Sequence, residues 1–108
     1  MADTVAGFFS ELPGKVDPGK AAGMNATFQF DITGDGGGQW YAKIENGKVA
    51  IDKGTAENPN IVLTATSENW LKIVSGALSG QTAFLTGKLK IKGDMSLAMK
   101  LQSVFQLG

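Results

Sequence analysis

Asp31, Thr33 and Asp35 stand at alternate positions in "DITGDG", with Gly36 next, which is how a calcium loop sets out its first oxygen ligands. Such a loop needs a bidentate glutamate at its twelfth position, and here that position is Ala42. A strand ending in a glycine turn accounts for the same residues better. Gly87-Lys88 echoes a phosphate-binding loop, but Leu89 stands where the serine or threonine belongs and the preceding glycine spacing is wrong. The run Gly34 to Gly38 leads into a further strand, so no helix N-terminus is offered to a dinucleotide pyrophosphate. Lys88, Lys90 and Lys92 could meet an anionic headgroup, though a charge run of this kind usually marks a solvated strand face.

The absences narrow the chemistry further. The chain has no histidine and no cysteine, which removes the commonest proton shuttle, thiolate nucleophiles, disulfides and the soft-metal ligands. A histidine-based triad is impossible, and the lysines and carboxylates form no recognisable constellation. The chain therefore reads as non-enzymatic, with no metal and no cofactor. Ten basic residues, all lysine, balance ten acids. That argues against nucleic acid as a partner, since phosphate recognition draws on basic excess and on arginine's fork. No membrane-spanning run and no leader pattern is apparent, so a cytoplasmic protein is expected.

These residues need elements to place them, and 108 residues suffice for one domain, residues 1–108. Asp3 or Thr4 can cap a helix with Val5, Phe8, Phe9 and Leu12 on one face. Asp17-Pro18 starts a second short helix through Ala22. From Asn25 the period becomes two: Ala26, Phe28, Phe30 and Ile32 face inward. A second strand turns Trp40, Ala42 and Ile44 inward. Asn46-Gly47 predicts a tight hairpin into a third strand with Val49 and Ile51. Residues 60–66 form a fourth strand, burying Ile61, Leu63 and Ala65. Ser67 is expected to cap a helix through Ser75, followed by a helical turn at Ala83-Phe84. A last strand, residues 88–92, buries Leu89 and Ile91, and its lysines suit a sheet edge. The expected fold is α+β: a five-stranded, mainly antiparallel sheet with helices on one face.

The closing segment after Asp94 is apolar on more than one stripe. Leu97, Ala98, Leu101, Val104 and Phe105 make a normal helical face, and Met95 and Met99 widen it. Two readings stand: ordinary core with methionine as gap filler, or the adaptable wall of a cavity.

At this point the chain resembles a known family. "AFLTGKLKIKGDMSLAMKLQSVF", with "FQFDITGDGGGQWYAKIENGKV" and "SENWLKIVSG" upstream, is similar in order and content to the sterol carrier protein type 2 family. The resemblance implies an apolar tunnel between sheet and helices, and loose binding and transfer of fatty acids, fatty acyl-CoAs, sterols or phospholipids. It places Trp40, Phe84, Met95, Met99 and Gln102 in the lining, with Gln102 a headgroup partner if it faces the tunnel. The face assignment adds Phe28, Phe30, Ile73 and Val74. Transient contact with a membrane surface goes with transfer, while the residues set no oligomeric state. Family members sent to peroxisomes end in Ser/Ala-Lys-Leu, whereas this sequence ends Gln106-Leu107-Gly108, which again favours the cytoplasm. The rival expectation is the same fold with its tunnel filled, acting as an interaction or dimerisation module.

Overall fold

The computed structural model describes residues 4–105, with the side chain of Gln102 outside that description. Asp3 and the tripeptide Gln106-Leu107-Gly108 therefore lie outside the described residues. Helix α1 (Val5–Glu11) is capped by Thr4, whose hydroxyl accepts the Gly7 amide at 3.0 Å. A tight helical turn follows at Leu12–Lys15, then α2 (Pro18–Ala21), capped by Asp17. Three strands come next, β1 (Asn25–Thr33), β2 (Gly38–Glu45) and β3 (Lys48–Lys53). Asn46 and Gly47 turn the β2–β3 hairpin with φ of 52° and 81°, the positive values that a two-residue turn of this hand requires. The chain continues through β4 (Ile61–Thr66), α3 (Ser67–Val74), α4 (Gly80–Leu85), β5 (Leu89–Gly93) and α5 (Met95–Val104).

The strands lie in the order β3-β2-β1-β4-β5, with β1 parallel to β4 and the other pairs antiparallel. The sheet is thus five-stranded, α+β and mostly antiparallel, with the lysine-bearing β5 at an edge. A parallel neighbour cannot be reached by a hairpin, so residues 54–60 must travel from β3 across β2 and β1 to β4. That crossing explains a burial that simple alternation misses. Gln29 sits on the face of β1 opposite Phe28 and Phe30, yet it is 3% exposed. Its Oε1 accepts the Ala56 amide at 2.8 Å, and its Nε2 donates to the Gly54 carbonyl at 3.2 Å and to Asp31 at 3.1 Å. The crossing loop is pinned there. The Asp31 carboxylate also accepts from Gln39 at 3.2 Å, so it serves the strand pair.

Inward residues behave as the alternation predicts: Ala26, Phe28, Phe30, Ile32, Trp40, Ala42, Ile44, Ile61, Leu63 and Ala65 are all buried. Helix α1 brings Phe8 and Phe9 down onto them. Phe9 stacks on Trp40 with ring centroids 4.6 Å apart, lies 5.1 Å from Phe30, and faces Trp70 at 6.2 Å. Aromatic pairs of this kind add roughly 0.5–1.5 kcal/mol each beyond the area they bury. Several boundaries differ by a residue from the sequence reading, two of them at a cap and a turn. Thr66, one place earlier than Ser67, caps α3 by accepting the Asn69 amide at 3.1 Å, and β5 begins at Leu89 after Gly87 turns with φ 77°.

Candidate functional site

Three helices and the β4–β5 edge enclose the remaining space. Ser79 caps α4 by accepting the Thr82 amide at 3.0 Å, which sets Phe84 one turn later. Gly93 ends β5 with φ 117°, and a Cβ there would collide with the Asn60 carbonyl. That close approach lets Asn60 act as a joint. Its side chain accepts the Thr27 amide at 2.8 Å, and its carbonyl accepts the Asp94 amide at 2.9 Å. Asp94 then caps α5, accepting from the Ser96 amide at 2.9 Å and the Ser96 hydroxyl at 2.6 Å. Those bonds, the hydroxyl's first, hold its carboxyl below the ordinary aspartate value of 3.8. At its far end α5 is tied to the start of α2 by the Asp17 amide donating to the Val104 carbonyl at 2.8 Å.

Between these elements lies a cavity of about 450 Å³, within the range of roughly 300–1,000 Å³ that suits small-molecule sites. Its inner wall is Leu63 of β4, Leu89 of β5, Trp70 and Ile73 of α3, and Leu101 of α5, all buried. Ile91, paired with Leu63 across the β4–β5 ladder, and Ala98 continue that wall. Phe84, Met95 and Met99 reach it from the outside; Met99 is 82% exposed, which makes this side the mouth. Leu85, beside Phe84, is 74% exposed. No charged side chain lines the space among the described residues, and Gln81 brings a side-chain amide to it.

Ile73, Phe84, Met95 and Met99 thus come together at one space. Phe28, Phe30 and Trp40 do not join them. They are buried and off the lining: Trp40 and Phe30 pack on Phe9, Phe28 on Phe105, and Phe30 also lies behind the lining residue Trp70 at 5.5 Å. Val74 is half-buried against the core and off the lining. Gln102 lies in α5, its side chain outside the described residues. Both readings of the closing helix hold in part: Leu97, Val104 and Phe105 are core, while Met95, Ala98, Met99 and Leu101 face the cavity. Leu63, Leu89 and Ile91 had shown a strand signal that they face inward, without saying that the space there is unfilled. Trp70, Gly80, Gln81, Ala98 and Leu101 were not singled out for the site.

A small sheet roofed by helices, with an apolar space of this size between them, offers room for an apolar guest. The comparisons agree. Residues 9–106 match the SCP-2 sterol transfer family, and the chain belongs to that family. It is 32% identical over 109 residues to hydroxysteroid dehydrogenase-like protein 2 of Danio rerio, covering 98% of this chain and 26% of that protein's length. The solution structure of palmitated SCP2L2 from Aedes aegypti superposes with a TM-score of 0.75 and 30% identity, over 94% of each chain. Sterol Carrier Protein 2 from Yarrowia lipolytica in its apo form shares the fold, with a TM-score of 0.78 at 21% identity, over 98% of this chain and 94% of that one. The chain thus spans about a quarter of the zebrafish relative. Family membership implies binding and transfer of lipids or sterols, and no helix among the described residues is long and apolar enough to cross a membrane.

Proposed function

We propose that this chain binds one lipid, a fatty acid, fatty acyl-CoA or sterol, with its apolar part in the α3–α4–α5 cavity, and passes it between membranes without catalysis. The observation that carries this is the cavity of about 450 Å³ walled by aliphatic and aromatic side chains and free of charge among the described residues. Ile73, Phe84, Met95 and Met99, together with Leu63, Leu101 and their neighbours, would touch the ligand. Phe28, Phe30, Trp40 and Val74 would support the walls.

The magnitudes are sufficient. A sixteen-carbon chain removes about 15 methylenes from water at roughly 0.8 kcal/mol each, about 12 kcal/mol gross. Association costs about 4 kcal/mol or more, which leaves up to about 8 kcal/mol and brings micromolar affinity within reach. Loose specificity follows, because apolar transfer does not distinguish chain types and the rim methionines can repack. Exposed Met99 of the rim is followed in sequence by exposed Lys100, and exposed Leu85, next to Phe84, precedes exposed Lys88. Apolar tips flanked by cations suit an anionic bilayer surface, where each lysine contributes about 1 kcal/mol.

Calorimetric titration with palmitate and palmitoyl-CoA tests the reading. Saturable binding at one ligand per chain is expected. Absence of binding by either ligand would leave the fold to an interaction or dimerisation role, with the exposed rim as the contact face.

A further inference from the structure

The chain offers an oxidant few sulfur atoms. It has no cysteine, so all its sulfur sits in Met1, Met24, Met95 and Met99. Met1 lies outside the described residues, and Met24 is half-buried against the core and off the cavity. Met95 and Met99 are 45% and 82% exposed, and both line the cavity. They stand four residues apart on α5, which makes them neighbours on one helix face. Phe84 and Leu85 are the other exposed large apolar side chains among the described residues. Half of that exposed apolar set is therefore thioether, and it is placed at the cavity mouth.

We infer, resting on the lipid-binding reading, that Met95 and Met99 form an oxidation site: hydrogen peroxide converts them to sulfoxides, and the cavity then loosens its hold on the lipid. In the step, a sulfur lone pair attacks one peroxide oxygen, the O–O bond breaks and an S–O bond forms. Sulfur is oxidised by two electrons, the peroxide is reduced, and its other oxygen leaves as water. A thioether reacts without ionising, so access decides which sulfur goes first. Access ranks Met99 before Met95, and both before Met24. As thioethers, the two side chains can lie along an alkyl chain and follow its shape. As sulfoxides they are polar, and each new oxygen must either stay in water, drawing the side chain off the guest, or lose its hydration against it. The sulfoxide is also the reversible rung of methionine oxidation, since one reductase for each epimer restores the thioether. The rim can thus be switched in both directions.

The experiment treats the full chain with hydrogen peroxide, reads each methionine by peptide mass mapping, and measures palmitate binding by calorimetry. Met99 should be modified first and Met95 next, both ahead of Met24. The Kd for palmitate should rise by roughly 2- to 30-fold, the usual range for setting a polar group against an apolar one. The two sulfoxide reductases together should bring it back. Saturating palmitate should slow modification of Met95 and leave Met24 unaffected, which a general loosening of the fold would not produce. The double variant Met95→Leu, Met99→Leu keeps Met1 and Met24. Whatever its own affinity, peroxide should change that affinity by less than about twofold. Where the double variant folds poorly, mapping and protection on the parent chain still decide. Full modification of Met95 and Met99 with a palmitate Kd within about twofold of the untreated chain overturns the inference and leaves the lipid reading standing. So does an equal peroxide effect in the double variant, or modification of Met24 ahead of both. An untreated chain that takes up no palmitate overturns both.

Discussion

Filling the cavity from its own wall should separate lipid binding from folding. Ala98 is half-buried on α5, between Met95 and Leu101, and lines the space. Its Cβ is placed by a helix capped at Asp94 and tied down near Val104, so a larger side chain there must grow into the cavity or lever the helix off. An indole in Ala98→Trp brings about 150–250 Å² of apolar surface of its own and displaces several methylenes of the guest. Excluding three to five methylenes at roughly 0.8 kcal/mol each costs about 2.4–4 kcal/mol, or roughly 50- to 700-fold in Kd. Stability should hold or rise, because atoms replace empty or watery space. Palmitate titration gives the first quantity and chemical denaturation the second. A folded Ala98→Trp that binds palmitate within twofold of the parent would show that the guest lies elsewhere.

Leu85 is outside the lining, exposed, and next to Phe84 of the rim, so Leu85→Asp should slow lipid transfer to anionic vesicles in a fluorescence-dequenching assay. Equilibrium affinity should stay within about twofold, as expected for a surface change. Gln29→Leu removes the two bonds that pin residues 54–60, together with the one to Asp31, and strands the Ala56 amide. Urea denaturation should report a loss of about 2–4 kcal/mol, with hydrogen exchange rising first at Ala56. Asp94 carries a pH dependence whose sign is fixed: its folded value lies below the ordinary one, so its contribution is complete above that value and is lost as pH falls through the lowered one. Amide protection in α5 should therefore be flat down to about pH 4 and then decline, and Asp94→Asn should flatten the decline.

The sequence pattern specified faces well and neighbours poorly. Alternation in β1 buried Phe28 and Phe30 correctly, but period two states only which side of the sheet a residue takes. Whether that side lies under α1, where Phe9 closes on Trp40, or under α5, where space remains, depends on how the helices cross. The same limit hid Gln29, whose face becomes interior because the parallel β1–β4 pairing sends a loop across it. Cap chemistry was more local and so more legible: Thr4, Asp17 and Asp94 each hydrogen-bond an amide two or three residues on. The methionines of α5 were legible as surplus apolar surface, though Met99 proves to be the rim of the cavity. Trp70 gave no sign of its unpartnered nitrogen, since that property belongs to the packing around the ring.

The most direct test of the account is a set of intermolecular NOEs from ¹³C-labelled palmitate to the side chains of the bound protein. Contacts from the acyl chain to Ile73, Leu63 and Leu101, at one palmitate per chain, are the predicted result. Contacts confined to exposed Leu85, or a chain that takes up no palmitate at all, would contradict it.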